Sequence, residues 1–373
     1  MDDSDPDLLP EGLEDRLPSE AAAGQRVMRA MLDAMDGHGY NWVSPPLIEF
    51  ERSLAGRMSG IQTRRMFRFV DPASLRTLAL RSDITPQVGR IAETRLASAP
   101  RPLRLCYAGP VVTIRSDGLD PARERLQVGA ELIGRDTVAA AAEIAGLAIE
   151  ALAAAGATGI SIDFTLPDLV DTLAAKALPL TPGSVAAVRR QLDAKDAGAL
   201  LAAGGGAYLP LLYAAGEFDQ AIEKLAAIDA GGALATRIAG LREIAARLGN
   251  AARITLDPTE RHGFEYQSWF GFTLFAQGVR GSLGRGGTYR IGREDGEGEV
   301  ATGFSLYPDG LVGVVGGEVA RDTLFLPLGH DREAADRLRT IGWRTVAALD
   351  DGDDAARLGC TYRLDGDEAI ALV

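Results

Sequence analysis

Two polar side chains, Gln127 and Glu131, interrupt the otherwise apolar segment LQVGAELIG. This composition predicts a β-strand, in which residues four apart project from the same face. A second carboxylate, Asp83, and two phenols, Tyr266 and Tyr289, occur elsewhere in the chain. If the fold brings these groups together, burying them without a bound partner would be costly. They form either a satisfied buried polar network or a site for a small polar ligand.

The segments around these residues alternate between helical and extended patterns. SEAAAGQRVMRAMLDAMDG carries apolar residues at spacings of three and four, which predicts an amphipathic helix that ends at residues 37–39. YNWVSPPLIEF is predicted to be extended because its two prolines block a helix. MFRFVD and RTLALR predict a hairpin, and TPQVGRIAETRLA predicts a helix with Pro86 in its first turn. PLRLCYAGPVVTIR and RERLQVGAELIG predict two strands joined by a polar loop.

Beyond residue 136 the pattern becomes helical and then returns to strands. TVAAAAEIAGLAIEALAAAGA predicts a long alanine-rich helix, and residues 166–250 predict a helical insertion. ARITLD, FEYQSWFGFTLFA, GSLGRGGTYR and VATGFSLYPDGLVGVV predict further strands, with glycine-rich turns that suit antiparallel pairing. The order predicts an α+β fold with a large antiparallel sheet. We expect a core over residues 1–312 and a small α/β unit or cap over residues 313–373.

Composition and charge limit the classes of protein that this chain can represent. Its 373 residues are 46% hydrophobic, its net charge is -13 and its pI is about 4.9. No basic run suits a phosphate backbone, so we expect no nucleic-acid partner. No apolar run reaches the roughly 20 residues that span a bilayer, and the start MDDSDPDLLPEG is unlike a secretory signal, which predicts a cytoplasmic protein away from membranes. Cys106 and Cys360 stand alone, so we expect buried thiols and no metal site.

Several segments, in order, resemble a class II aminoacyl-tRNA synthetase. GYNWVSPPLIE is similar to motif 1, the dimer-forming segment, and LRSDITPQVGR resembles the LRPE-x-T segment of histidyl-tRNA synthetase. YAGPVV and RERLQVGAELIG resemble its motif 2. HGFEYQSWFGFTLFA resembles its histidine-specific segment, and GGTYR with ATGFSLYPDGL resembles motif 3. The resemblance covers residues 9–311 and implies a class II synthetase-like core with an antiparallel sheet flanked by helices.

Three positions depart from the synthetase pattern. The arginines that hold the phosphates of ATP in that family match Thr113 in motif 2, Gly310 in motif 3, and His262, with Arg261 one residue early. Each lost arginine removes a permanently charged fork aimed at anionic oxygens. In comparable sites the loss of one such donor costs about 10²–10³ in rate. We therefore expect no adenylation, no catalytic residues and no cofactor.

The amino-acid side of the synthetase pattern is largely retained. Asp83 and Thr85 keep a carboxylate and a hydroxyl suited to an α-ammonium group, and Glu265 keeps an acidic position beside a pocket tyrosine. One departure lies here too, because the family's second tyrosine is Gln267. The resemblance implies a histidine-binding effector site formed by Asp83, Thr85, Gln127, Glu131, Tyr266, Gln267 and Tyr289.

A synthetase-like chain without adenylation arginines resembles the regulatory subunits of ATP phosphoribosyltransferase, the first enzyme of histidine biosynthesis. The resemblance implies a non-catalytic subunit that activates the short-form catalytic subunit and mediates feedback inhibition by L-histidine. It also implies a homodimer within a hetero-oligomer. The tail over residues 313–373 holds seven arginines and no lysine against twelve acidic residues, so it is a poor anticodon-binding surface.

Two other interpretations remain open at the level of sequence. In the first, the chain is a diverged but working synthetase in which Arg115, Arg123 or Arg285 binds phosphate. In the second, it is another amino-acid-binding paralogue that acts on translation or tRNA, which would require a basic surface patch. ATP binding in the presence of Mg²⁺ would support the first interpretation.

Overall fold

The computed structural model describes residues 8–55, 66–115, 121–261, 267–292, 298–315 and 322–372. The chain divides into two compact units, Met1–Gly316 and Gly317–Val373. The first unit contains every residue of the expected ligand site.

The first half of the first unit alternates helices with strands, as the sequence predicts. Its elements are α1 (Pro18–Gly37), β1 (Asn41–Trp42), β2 (Ile48–Phe50), α2 (Glu51–Ala55), β3 (Arg68–Val70), β4 (Thr77–Leu80), α3 (Thr85–Thr94), β5 (Leu103–Val112), β6 (Glu124–Ile133) and α4 (Val138–Ala154). Helix α1 buries Ala23, Val27, Met31 and Met35, which are the residues whose spacing predicts it. The predicted hairpin is the antiparallel pair β3 and β4.

The second half holds the helical segment and the returning strands. Its elements are β7 (Ser161–Thr165), α5 (Leu169–Lys176), α6 (Pro182–Asp193), α7 (Ala197–Ala202), β8 (Gly216–Glu217), α8 (Phe218–Ile228), α9 (Ala235–Leu248), β9 (Arg253–Leu256), β10 (Gln267–Phe275), β11 (Gly284–Ile291), β12 (Glu299–Leu306) and α10 (Asp309–Val315). Short 3₁₀ turns occur at Gly206–Tyr213 and Ala230–Gly232.

A nine-stranded mixed sheet forms the centre of this unit, in the order β1-β5-β6-β12-β11-β10-β7-β9-β8. The six strands from β5 to β7 pair antiparallel throughout. Parallel pairs occur only near the edges in the described residues, between β1 and β5 and between β7 and β9. The α+β class and the synthetase-like core that the sequence predicts are confirmed, with the refinement that the sheet is mixed.

One face of the sheet is covered by α1, α4 and α9. The Thr137 hydroxyl accepts a hydrogen bond from the Ala140 N–H and caps α4. Alanine is abundant on α4, and ten of its residues are buried, because small side chains let the helix lie between the sheet and its neighbouring helices. The helical segment shares this core, since Leu200, Leu225 and Leu241 belong to the same cluster as Phe270 and Phe272.

The opposite face carries α3, and β2, β4 and β3 form a separate three-stranded sheet. Helix α3 begins at Thr85 with Pro86 in its first turn, as the sequence predicts. Val88 and Ala92 of α3 and the preceding Ile84 belong to a second buried cluster, which includes Tyr107 and Tyr289 of the large sheet. This packing sets the N-terminal end of α3 against the middle of the sheet.

The second unit is a small α/β fold. Its elements are β13 (Thr323–Leu326), α11 (Arg332–Thr340), β14 (Arg344–Ala347), β15 (Tyr362–Asp365) and β16 (Glu368–Ala371), with strand order β14-β13-β15-β16. Asp331 caps α11 by accepting hydrogen bonds from the N–H groups of Glu333 and Ala334. Leu324, Leu326, Ala335 and Leu364 form its core.

Candidate ligand-binding site

The expected site residues meet where α3 abuts the large sheet. Gln127 and Glu131 lie on β6 and Tyr289 lies on β11, all buried. Thr85 is the first residue of α3, and Asp83 lies two residues before it. Gln267 is the first residue of β10. Tyr266 lies outside the described residues, as do His262 and Glu265.

Strand register explains why residues distant in the sequence come together. Gln267 on β10 is paired with Tyr289 on β11, and Glu131 on β6 is paired with Gly303 on β12. The four strands are consecutive in the sheet, so one face presents all of these positions side by side. Gly303 is required there, since a Cβ at this position would lie 1.6 Å from Glu131 Oε2.

Glu131 is a buried carboxyl group held by two phenols. Tyr107 donates a hydrogen bond to Oε1 at 3.1 Å, and Tyr289 donates to Oε2. Burial raises the pKa of Glu131 to about 8. The two phenol hydrogen bonds oppose this rise, and the negative charge of Asp83 adds to it. Burial therefore disfavours the carboxylate form of Glu131 in the free site.

Tyr107 links the two halves of the site and was not identified from the sequence. Its hydroxyl lies 3.0 Å from Thr85 Oγ1 and 3.1 Å from Ser305 Oγ, in addition to its bond to Glu131. The β5–β6 register places Tyr107 opposite Gly129, where a Cβ would lie 2.4 Å from the phenol oxygen. The sequence signal that could have identified Tyr107 was this pairing of a tyrosine with a glycine across the two strands predicted on either side of the polar loop. Ser305 was also missed, although it follows Gly303 at the two-residue spacing of one strand face.

Gln127 ties the strand to the start of α3. Its Nε2 donates to Asp83 Oδ1 at 2.7 Å and to Ser305 Oγ at 2.8 Å, while its Oε1 accepts from the Ile84 N–H at 2.8 Å. Asp83 Oδ1 also accepts from the Thr85 N–H at 2.9 Å. Gln127 thus holds the Asp83 carboxylate at the edge of the site, where it can receive a cationic group.

Gln267 enters the site from β10. Its Nε2 donates to the Gly286 carbonyl oxygen at 2.8 Å. Its Oε1 is buried and accepts no hydrogen bond from the described part of the chain. The β10–β11 register is irregular between Gln267 and Gly271, and such a bulge changes the direction of the side chains beside it.

A small cavity lies between these groups. It is lined by Thr85, Glu131, Gln267, Arg285, Gly286, Gly287, Tyr289, Gly303, Phe304 and Ser305. Centres of water-sized molecules can occupy only about 10 Å³ of it, which is room for about one water. An amino acid would therefore enter only if some of these side chains move.

Two arginines bring positive charge to this region. Arg285 lines the cavity, and the Arg125 guanidinium lies 4.4 Å from the centre of the Tyr307 ring. Burial raises the pKa of Tyr307, the negative charge of Asp83 adds to the rise, and Arg125 and Arg285 oppose it. The region therefore combines the carboxyl group of Asp83 with the guanidinium groups of Arg125 and Arg285.

Thr113 and Gly310, two positions at which the sequence resemblance leads us to expect lost arginines, lie in the described residues and are uncharged. Thr113 donates its N–H to the Arg123 carbonyl oxygen at 2.8 Å, at the open end of the β5–β6 pair. Gly310 is the second residue of α10. Arg123 donates from Nη1 to the Glu11 carbonyl oxygen and lies over the Phe67 ring. Arg115 is exposed, whereas Arg285 lines the cavity.

The described residues contain no group of three or more His, Cys, Asp or Glu side chains arranged to hold a metal ion. Within the same ranges, no helix has the length and apolar character needed to cross a membrane.

Comparisons with known proteins place this architecture in a family. The histidyl-tRNA synthetase family model matches residues 12–311. The ATP phosphoribosyltransferase regulatory subunit of Rhodospirillum centenum is 43% identical over 365 residues, covering 95% of this chain and 94% of that protein. Its counterpart in Paramagnetospirillum magneticum is 42% identical and covers 98% of each chain.

Solved structures agree with this fold. An ATP phosphoribosyltransferase regulatory subunit/histidyl-tRNA synthetase from Bacillus halodurans C superposes with a TM-score of 0.82 at 22% identity, covering 96% of this chain and 97% of that one. Histidyl-tRNA synthetase from Nostoc superposes with a TM-score of 0.78 at 15% identity, covering 96% and 90%. The chain belongs to the family of ATP phosphoribosyltransferase regulatory subunits, which is built on the histidyl-tRNA synthetase fold.

Proposed function

We propose that this chain is a non-catalytic subunit that activates a short-form ATP phosphoribosyltransferase catalytic subunit and confers feedback inhibition by L-histidine. The observation that carries the proposal is the contrast between the two sides of the site. The side with Asp83, Gln127 and Glu131 keeps polar groups that suit an amino acid, and Gln127 and Glu131 are buried. The phosphate side has Thr113 and Gly310 where the synthetases use arginine.

Each of the effector's two charged ends has a group of opposite charge in this region. Asp83 and Thr85 would receive the α-ammonium group, since one supplies a carboxylate and the other a hydroxyl. Arg285 lines the same cavity and would receive the α-carboxylate. The side chain would then point towards Glu131, Tyr289 and Gln267, with Tyr266 as a further expected contact.

The cavity's small size gives the effector a way to act at a distance. Because the free cavity has room for about one water, histidine binds only the state in which the lining side chains have moved. A ligand that binds one state better than another shifts the population between them. Inhibition then requires that the catalytic subunit make different contacts with the two states.

Exposed apolar side chains support the proposed homodimer. Trp42 on edge strand β1 is 65% exposed. Ile48, Phe69 and Val70 on the three-stranded sheet are also exposed. Large apolar side chains grouped on adjoining elements are typical of protein interfaces. We propose that this surface joins two copies of the chain within the hetero-oligomer.

The proposed function is tested by assaying a short-form catalytic subunit from the same source with and without this chain, across a histidine titration. We expect the chain to raise activity and histidine to lower it again. Glu131→Ala should leave activation in place and shift half-inhibition to an at least about tenfold higher histidine concentration, because a buried polar contact to the ligand is lost.

Two controls make this result specific. Glu223→Ala removes a carboxylate that is paired on the surface with Arg242, and it should leave both activation and inhibition unchanged. Glu131→Gln keeps the shape of the side chain and removes only the carboxyl group. If this variant stays folded and loses inhibition, the loss comes from the carboxyl group and not from misfolding. If the chain leaves the catalytic subunit's activity unchanged, the proposed function is wrong.

The alternative is a diverged synthetase, and Arg285 in the cavity is the observation that favours it. Histidine-dependent exchange of pyrophosphate into ATP measures this activity directly. We expect no exchange above background, because each missing preorganised donor costs about 10²–10³ in rate. Exchange that is abolished by Arg285→Ala would support the synthetase instead.

A further inference from the structure

The turn between α6 and α7 contacts the chain that leads into the ligand site. Lys195 lies in this turn, and its ammonium group donates to Asp257 Oδ1 at 2.6 Å and to Thr259 Oγ1. The same chain continues to Gln267, the first residue of β10. We propose that Lys195 is a positioning residue: it holds the chain that enters the ligand site, so that the helical segment over residues 166–250 affects how tightly the site binds histidine. This inference rests on the proposed function, because it takes histidine to be the ligand.

The backbone conformation of Lys195 favours glycine, yet a lysine lies there. Its φ is +56°, in the left-handed region where helices commonly end on glycine. Glycine adopts this conformation without strain, whereas lysine is strained in it. Strained residues persist where the surrounding structure holds them, and they cluster at functional sites. Here the ammonium group supplies the holding contacts, one of them to Thr259, which is only 7% exposed.

A second contact from the same turn holds the chain further along. Asp193, the last residue of α6, accepts a hydrogen bond at 2.8 Å from the Arg261 N–H. Asp257 Oδ1, which binds the lysine, also accepts from the Thr259 N–H at 3.1 Å. The α6–α7 turn therefore holds residues 257–261 at both ends.

These residues are linked to the cavity through β7. The Thr165 hydroxyl at the end of β7 donates to the Glu260 carbonyl oxygen, and Thr165 is paired with Gly271 on β10. A Cβ on Gly271 would lie 2.9 Å from Thr165 Cγ2 and 2.2 Å from Gln267 Oε1. Thr165 and Gln267 thus pack against the same glycine, and Gln267 lines the cavity. Contiguous packed and hydrogen-bonded groups of this kind can carry energetic coupling.

Repulsion between carboxyl groups explains why the charge of the lysine matters. Asp163 lies on β7, and burial raises its pKa. The negative charges of Glu260 and Asp257 add to this rise, while a hydrogen bond from Thr255 opposes it. Lys195 offsets part of the negative charge by binding Asp257. Without the ammonium group, we expect repulsion to move residues 257–261 away from β7.

Calorimetric titration of L-histidine into the full chain tests the role of Lys195. Lys195→Gly removes the ammonium group and relieves the backbone strain, so it should melt at about the wild-type temperature. We nevertheless expect its affinity for histidine to fall about 3- to 10-fold. Lys195→Asn should show the same fall without the added flexibility of glycine, because asparagine also tolerates the left-handed region. Lys195→Arg keeps a cation and should recover most of the affinity.

Arg242→Ala is the matched control. It removes a cation from the same helical segment, where Arg242 pairs with Glu223 and both side chains are exposed. Exposed pairs of this kind contribute little, so this variant should bind histidine as the wild type does.

Hydrogen exchange measures the coupling from the other direction. The N–H groups of residues 194–196 bond to the last turn of α6. Coupling between two sites is reciprocal, so histidine should slow exchange of these amides in the wild type. In Lys195→Gly the effect of histidine on their exchange should be lost.

The outcomes separate the two proposals. If the wild type binds histidine and Lys195→Gly binds it equally well, the role of Lys195 is wrong and the effector site stands. The same holds if Lys195→Arg binds no better than Lys195→Gly, or if histidine leaves the exchange of residues 194–196 unchanged in the wild type. If the wild type does not bind histidine, the effector site fails and this inference fails with it.

Discussion

Gly303→Ala should destabilise the first unit and abolish ligand binding. A Cβ at this position would lie 1.6 Å from Glu131 Oε2 and 2.8 Å from the Ala130 carbonyl oxygen. Glu131 is held by Tyr107 and Tyr289, so it can yield only by breaking these hydrogen bonds. Overpacking of a tight core costs about 1–3 kcal/mol, and we expect the upper end because a carboxyl group also loses its partners. Urea denaturation with histidine titration measures both effects.

Gly313→Ala is the control for this substitution. Gly313 lies in α10, and a Cβ there would meet no atom within 4 Å. Alanine favours a helix over glycine by about 1 kcal/mol, so this variant should be as stable as the wild type or slightly more stable. Wild-type stability in Gly303→Ala would show that Glu131 does not lie against β12.

Glu131→Gln should change how stability depends on pH. Burial raises the pKa of Glu131 from its ordinary value of 4.5 to about 8. Between these two values the folded state binds the proton more tightly than the unfolded state, so wild-type stability falls as pH rises from about 4.5 to about 8. Below pH 4.5 the protonated group does not lower the free energy of unfolding. Above pH 8 the carboxylate lowers it by the full cost of its burial. Glutamine cannot ionise, so the variant lacks this slope.

Between pH 4.5 and pH 8, the free energy of unfolding of Glu131→Gln should rise relative to that of the wild type by on the order of 4 kcal/mol. Unfolding by urea at pH 5, 6.5 and 8 measures this difference. Glu223→Gln changes an exposed carboxylate and should follow the wild type across the range. Parallel curves for Glu131→Gln and the wild type would show that Glu131 ionises normally in the folded protein.

Sequence periodicity correctly predicted the buried faces that depend on a single strand or helix. Gln127 and Glu131 lie buried on one face of β6, as their spacing indicates, and α1 buries its predicted apolar stripe. Tyr107 and Ser305 were missed because their roles depend on which strands are neighbours. Strand order is set by contacts distant in the sequence, and local patterns do not carry that information.

Local sequence patterns could not predict the parallel edge pairs or the size of the cavity, because both depend on contacts between residues distant in the sequence. The pairing of β9 with β7 follows from the path of a long helical segment between them. The cavity depends on fractions of an ångström in the packing of side chains from four strands and one helix. The unpaired Oε1 of Gln267 likewise follows from its neighbour Gly286, and the residue type alone does not indicate it.

The outermost strands of the large sheet also bear on how the protein behaves at high concentration. β1 and β8 contain two residues each, whereas the inner strands β5 and β6 contain ten. An edge strand offers its free N–H and C=O groups to any extended chain, and a two-residue edge offers very few. The edges of the sheet therefore offer little for a further strand to pair with. Aggregation through these edges is disfavoured even though the inner strands are long and apolar.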